Sequence, residues 1–494
     1  MPATVVINHG SVKGTTAGGV TQFLGIPYAA PPVGARRWEP PQQPTTWTKV
    51  RTADHYAPNC PQKDSSGVFA RPSMTEDCLY LNVFVPPRSS SPKPVMVWIH
   101  GGGLFSGESD DYDAHKLVKD GKLVVVTFNY RIGRLGYFPR KSKDGSAVIA
   151  NYGLLDQLFA LQWVRDNIGA FGGDPNRVTI AGESAGAESV YALMVSPAAK
   201  GLFHRAIAQS GGYTPHMPSI ADTAGVGTKF SQEAGCPDQS MRCLRALSVS
   251  QILAAQDDMT VALVVDGITI PSSFDAAFAD GAFYKVPVLS GINRDEARWF
   301  FALGGFPKGL PRTQVDYVAN LDALYGAARP AVQAQYPLAK FGSPVAALSA
   351  AETDLRFACP QDAFDTRIAR WTPLFSYEFD EVTAPSYLPP AGFELGAAHT
   401  FELQYLFPRF RGATGMPRIL NHAQARLSDR MVGYWSRFAS SGDPNLARKE
   451  QPEWPRYRQH QEKLILQLET TSVVEDSLSR HNCAFWDRIK LPAE

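Results

Sequence analysis

Residues 179–190 read TIAGESAGAESV, and Ser184 stands between Gly182 and Gly186 where the apolar, β-branched run RVTIAG (177–182) gives way to a helix-compatible one. A serine hydroxyl is a weak nucleophile until a base takes its proton, and attack requires the oxygen to be held out from a sheet on a tight turn. Glycine suits both flanking positions, because a side chain at 182 or 186 would strike the neighbouring strand and helix as the chain reverses. The G-x-S-x-G pattern is short, and a plain strand-to-helix turn satisfies it equally well. The surrounding sequence therefore has to decide.

Further apolar, strand-like runs stand on either side: VMVWIH (95–100), VVVTFNY (124–130), HRAIAQSG (204–211), VPVLSG (286–291) and PLFSYEF (373–379). Stretches long enough for helices separate them, the alternation of an α/β protein with a mainly parallel sheet and crossover helices. Leu154, Leu158, Leu161, Val164 and Ile168 recur at helical spacing, as do Leu427, Met431, Trp435 and Phe438, and both stripes read as faces packed on the sheet. The nearest thing to a linker, PPRSSSPKP at 86–94, is short enough to be a turn between strands. Residues 1–494 are thus expected to form one domain, with long insertions at the carboxyl ends of the strands, where open α/β sheets bind ligands.

Composition narrows the function classes. Lys and Arg (48) nearly balance Asp and Glu (47), leaving no basic field to condense on nucleic acid. The longest apolar runs, such as LVVVTF (123–128), are strand-sized, well short of the roughly 20 residues of a membrane helix. The start MPATVVINHG has neither the charged nor the long apolar region of a signal peptide. No Cys/His cluster has zinc spacing, and GGVTQFLG (18–25) lacks the dinucleotide fingerprint, so neither a metal nor an organic cofactor is expected. The six cysteines allow 15 pairings, and spacing chooses none of them.

The serine has candidate companions. Ala185 opens the helix-like segment, so its amide lies where a helix N-terminus favours negative charge. Upstream, the 95–100 run ends in His100-Gly101-Gly102-Gly103, whose unhindered amides suit an oxyanion. If the chain order is serine, acid, histidine, position eliminates most of the ten histidines. His9, His55, His100 and His115 precede the serine, and His204 and His216 follow too closely. His422 lies in a helical pattern, His460 in a polar run, and His481 beside Cys483. His399, in GAAHTFEL after the 373–379 strand and a Pro/Gly-rich loop, remains. Asp295 and Glu296, just past the 286–291 strand, could each orient an imidazole, and spacing does not separate them.

With these residues in place the chain resembles the type-B carboxylesterase/lipase family, cholinesterases included, of the α/β-hydrolase fold. The matching segments run in order: FLGIPYAAPPVGARRWEPP (23–41), EDCLYLNVFVP (76–86), HGGGLFSG (100–107), NYRIG (129–133), GLLDQLFALQWVRDNIGAFGGDPNRVTIAGESAG (153–186), the NRDE loop, GAAHTFEL (396–403) and EWPRY (453–457). The resemblance implies Ser184 as nucleophile, His399 as base and Glu296 as acid, with Gly102, Gly103 and Ala185 donating to the oxyanion. It places Glu183 beside the imidazole and Ser210 behind the triad, and it implies ion pairs Arg131–Asp156 and Arg37–Glu76. It also implies disulfides Cys60–Cys78 and Cys236–Cys243, with Cys359–Cys483 as a third pair, and hence an oxidising, secreted or periplasmic compartment.

The implied activity is cofactor-free hydrolysis of small-molecule carboxylic esters, with an inactive adhesion-type relative, an amidase or an acyltransferase as alternatives; oligomeric state stays open. Two departures stand out. Ala297 occupies the position after the acid where the family usually has Gly, and the segment between Cys60 and Cys78 holds no Trp, which disfavours choline esters. Arg294 and Arg298 flank the acid loop, either as solvated surface charges or to meet an acidic ester.

Overall fold

The computed structural model describes residues 4–64, 71–87, 91–141, 148–214, 216–412, 417–445, 452–458, 462–468, 472–474 and 480–489. An eleven-stranded sheet runs through these residues. Its strands in chain order are β1 (Thr15–Ala17), β2 (Val20–Pro27), β3 (Tyr80–Val85), β4 (Lys93–Ile99), β5 (Val124–Phe128), β6 (Gly173–Glu183), β7 (Arg205–Gln209), β8 (Val288–Asn293), β9 (Leu374–Phe379), β10 (Lys463–Leu466) and β11 (Ser472–Val474). In space they are ordered β11-β10-β9-β8-β7-β6-β4-β5-β3-β2-β1. All neighbours from β10 across to β5 pair in parallel, and only the two margins are antiparallel.

Every strand-like run picked out from the sequence lies in this sheet. Its central strands are apolar at successive positions because both faces are covered. Val95, Val97 and Ile99 of β4 pack into one core with Leu154, Leu158 and Leu161 of helix α1 (Tyr152–Asn167) and Val190 of helix α2 (Ala185–Val195). Met96 and Trp98, pointing the other way, join Leu427, Met431, Trp435 and Phe438 of the helix His422–Ser441. Both stripes seen in the sequence are therefore core, one on each face. PPRSSSPKP does connect β3 to β4, though its residues 88–90 lie outside the described set, as does His460.

Register delivers the site. Gly182 of β6 pairs with Ile99 of β4, Glu183 with Gln209 of β7, Gln209 with Gly291 of β8, and Asn293 with Phe379 of β9. The segments that follow each strand, His100–Gly103, Ser184, Ser210 and Asn293–Glu296, thus emerge side by side at one carboxyl edge of the sheet, the edge at which such sheets bind ligands.

Candidate active site

Ser184 caps α2 with φ 55° and ψ −126°, a conformation in which non-glycine residues are rare and strained. Its glycines are required by close approach. A Cβ on Gly182 would lie 2.5 Å from the backbone of Gly186, and one on Gly186 would fall on the carbonyl oxygen of Ile99. The elbow is wedged against the end of β4, and only hydrogen fits between them.

The glycine loop leaving β4 lies against this elbow: a Cβ on Gly101 would be 3.3 Å from that of Ser184. Gly102 and Gly103 have φ of 105° and 61°, backbone that glycine adopts without penalty. Loop shape is set from several sides. The Gly102 carbonyl accepts from the N–H groups of Phe105 and Ser106 at 3.1 and 2.9 Å. The His100 ring stacks on Tyr130, whose hydroxyl donates to the His100 carbonyl at 2.8 Å, and Gln62 bonds both the N–H and the carbonyl of Gly107. Among the described residues, none of these turn and side-chain bonds uses the N–H groups of Gly102, Gly103 or Ala185.

His399 sits in the same place. Its Nδ1 lies 2.5 Å from Oε2 of Glu296, both side chains being almost wholly buried. The other Glu296 oxygen, Oε1, accepts from the Asn293 N–H at 2.8 Å and the Ser210 hydroxyl at 2.5 Å. Nε2 of His399 faces Oε1 of Glu183 at 3.1 Å and carries no hydrogen bond. A third carboxyl, Glu402, is held behind them by Asn293 Nδ2 at 2.6 Å and Gln209 Nε2 at 2.9 Å. Burial alone would lower the imidazole's pKa, but Glu183, Glu296 and Glu402 together hold it up to about 9. Burial pushes the Glu183 carboxyl well up and Glu402 to about 7. Trp299, Phe300 and Phe357 ring the imidazole at centroid distances of 5.8, 5.1 and 5.3 Å. His399 thus lies enclosed by aromatic side chains.

Geometry separates the two adjacent carboxylates. Asp295 is occupied by Arg294 at 2.7 Å, Arg298 at 3.0 Å and the Ala397 N–H at 3.0 Å, leaving Glu296 to the imidazole. Both arginines are therefore engaged in ion pairs with Asp295. Arg294 also reaches Asp380 at 2.7 Å. Ala297 begins the short helix Ala297–Ala302 in ordinary helical backbone, its N–H donating to Thr353 Oγ1 at 3.1 Å, so no glycine is needed there.

The expected buried ion pairs form, Arg131–Asp156 at 2.7 Å and Arg37–Glu76 at 2.5 Å. Cysteines 60 and 78, 236 and 243, and 359 and 483 are bonded in those pairs. Sequence reasoning passed over Glu402, only three residues beyond His399, and the polar pair Glu188–Tyr213 beside the serine. Tyr213 donates to Glu188 Oε2 at 3.2 Å. A charged residue within the apolar opening of α2 was the available signal for Glu188.

A large, mainly parallel sheet with Ser184, the His399–Glu296 pair and the glycine loop gathered at its carboxyl edge is the architecture of an α/β hydrolase. The carboxylesterase family model matches residues 2–486, and the chain belongs to that family. It is 36% identical to para-nitrobenzyl esterase of Bacillus subtilis (strain 168), over 94% of this chain and 95% of that one. It is 35% identical to fumonisin B1 esterase of Sphingopyxis macrogoltabida (92% and 84%) and 34% identical to human cocaine esterase (97% and 88%). A thermophilic PNB esterase structure superposes with TM-score 0.83 at 34% identity, covering 98% of this chain and all of the other, and a PNB esterase with 0.81 at 34% (97% and 98%). The protein is a carboxylic-ester hydrolase. Among the described residues no helix is long and apolar enough to cross a membrane.

Proposed function

We propose that the protein hydrolyses small carboxylic esters through a covalent acyl-enzyme on Ser184, with His399 as base and Glu296 as its orienting acid. The observation that carries this is the buried His399–Glu296 pair at 2.5 Å beside a serine held on a strained elbow. Because Glu296 accepts the Nδ1–H hydrogen bond and holds that tautomer, Nε2 is left as the basic nitrogen. Ser184 Oγ attacks the ester carbonyl carbon as its proton passes to Nε2. The carbonyl electrons move onto oxygen, which accepts from the N–H groups of Gly102, Gly103 and Ala185. Collapse expels the alkoxide, which takes the proton from Nε2, and leaves Ser184 acylated. A water then repeats the sequence in reverse, releasing the acid and the free serine. Glu183, facing Nε2, favours the imidazolium formed at each transfer.

The three disulfides fit an oxidising compartment, and secretion or export to a periplasm is the location we infer. A Cys60–Cys78 loop without Trp points to neutral rather than choline esters. The test is turnover of p-nitrophenyl acetate and butyrate together with fluorophosphonate labelling. Parent protein is expected to do both and Ser184→Ala neither. Undiminished turnover by Ser184→Ala, or an unlabelled parent, would overturn the assignment. Adding alcohols and amines as competing acceptors separates hydrolysis from acyl transfer.

A further inference from the structure

Ser184 and Glu296 each stand just past the end of a paired strand, so the register of β6 and β8 places them. His399 has no such support. Between Phe379, where β9 ends, and Leu403, where the next helix begins, the chain forms neither helix nor strand. Backbone without ladder bonds samples many conformations, so other contacts must hold the imidazole in one place.

Those contacts come from the acid loop. The Asp295 N–H donates to the Ala397 carbonyl at 2.9 Å, and the Ala397 N–H donates back to Asp295 Oδ2 at 3.0 Å. Asn293 Nδ2 donates to the Ala398 carbonyl at 2.7 Å, and Arg298 Nη1 to that of Glu394 at 3.1 Å. The fit is close as well: Gly396 has φ 62°, and a Cβ there would lie 2.3 Å from Asp295 Oδ2. The carboxylate is itself aimed from both sides, Oδ2 paired with Arg294 at 2.7 Å and Oδ1 with Arg298 at 3.0 Å. Arg294 is anchored in turn at the end of β9, its side chain on Asp380 at 2.7 Å and its N–H on the Phe379 carbonyl at 3.0 Å.

We propose that Asp295 is the positioning residue for the catalytic base: by pinning Ala397 to the acid loop, its carboxylate holds His399 within hydrogen-bonding reach of Glu296. This rests on His399 and Glu296 acting as base and acid toward Ser184. The two adjacent carboxylates then divide the work, Glu296 orienting the ring and Asp295 the chain that carries it. Arg294 refers that chain to β9, and hence to the sheet that places the serine. Ala397 is two residues from the base, so slack at the pin reaches the imidazole almost undiminished. A displacement of about 1 Å there costs about a hundredfold in rate.

The test measures kcat and KM with p-nitrophenyl acetate, together with the far-downfield proton resonance of His399 Nδ1, assigned by its absence from His399→Ala. That resonance reports the bond to Glu296. Asp295→Ala removes the acceptor of the Ala397 N–H and is expected to lower kcat about a hundredfold. KM should stay within about twofold, since ester binding does not use this contact. The Nδ1 resonance should weaken or vanish as the loosened proton exchanges with solvent. Asp295→Asn keeps an oxygen for the Ala397 N–H but loses both ion pairs and sets its NH2 group against an arginine. It is expected to lie between the two, about tenfold below the parent, the factor that one charged hydrogen bond supplies.

A folded Asp295→Ala whose kcat stays within about threefold of the parent overturns the proposal. So does a lowered kcat with an unaltered Nδ1 resonance, the result that a purely structural role would give. Should Asp295→Ala fail to fold, Asp295→Asn decides alone: parent turnover overturns the proposal, and the tenfold loss with a weakened resonance supports it. Fluorophosphonate labelling keeps the two levels apart. A labelled parent with unaltered variants removes only the role of Asp295, whereas an unlabelled parent removes the serine mechanism as well.

Discussion

Replacing Glu296 by Gln tests the site through the hydrogen bonds around one carboxylate. Oε1 of Glu296 receives two donors, the Asn293 N–H at 2.8 Å and the Ser210 hydroxyl at 2.5 Å, while Oε2 faces His399 Nδ1. A glutamine has one acceptor end and one donor end. Its oxygen is claimed by the two donors, since turning the amide over would set N–H against N–H between buried side chains. The NH2 group is therefore forced toward Nδ1, which must become the acceptor, and the imidazole proton moves to Nε2. A protonated Nε2 cannot take the serine proton. For the corresponding acid-to-amide change in a serine protease kcat falls about 10⁴-fold, which equals about 5.5 kcal/mol of barrier. The same loss is expected here for p-nitrophenyl acetate turnover, with an unchanged melting temperature because shape and volume are kept. Adding Ser210→Ala should recover nothing, as the Asn293 N–H alone still requires an oxygen. Turnover by Glu296→Gln within tenfold of the parent would refute the assignment of Glu296 as the orienting acid.

Three further outcomes follow from the charges and cross-links. His399 is held up to about 9, with Glu183 the largest upward influence, so the imidazole stays protonated to higher pH than usual. The acidic limb of kcat/KM should lie above the ordinary histidine value of about 6.5 and move to lower pH in Glu183→Gln; a limb that stays put would contradict this. His481 bridges Asp354 at 2.6 Å and Glu378 at 3.2 Å, and these carboxylates overcome its burial to raise it to about 9. A raised pKa stabilises the fold fully below about 6.5 and loses that contribution as pH rises through about 9, an effect of about 3 kcal/mol. Urea midpoints should fall over that window in the parent and fall less in His481→Gln, where His399 keeps its own raised pKa. Finally, Cys359–Cys483 closes a loop of 124 residues, against 18 for Cys60–Cys78 and 7 for Cys236–Cys243. The chain-entropy contribution of so long a loop is about 5 kcal/mol. Changing both cysteines of a pair to serine should lower the urea midpoint most for 359/483 and least for 236/243.

What the sequence reveals and what it hides divide along physical lines. The strands were legible because a sheet covered on both faces needs unbroken apolar runs, and both helical stripes because they pack on it. Ser184 and its glycines were legible because the Gly182–Gly186 contact tolerates no side chain, a constraint local enough to leave a motif. Asp295 and Glu296 could not be separated by spacing, since both sit at the turn into a helix. There a step of one residue swings the side chain by about 100°. That swing sends Asp295 to Arg294 and Arg298 and Glu296 to His399, and only coordinates show which goes where. The aromatic wall of Trp299, Phe300 and Phe357 and the Tyr213–Glu188 pair come from insertions and loops whose spatial neighbours lie far away in the chain. No period or motif records such proximity. The chemistry common to the family therefore sits on strand ends, where register dictates position and sequence carries the trace. The side chains placed by packing between distant segments, Tyr213 and Phe357 among them, leave no such trace, and only their contacts across the fold reveal them.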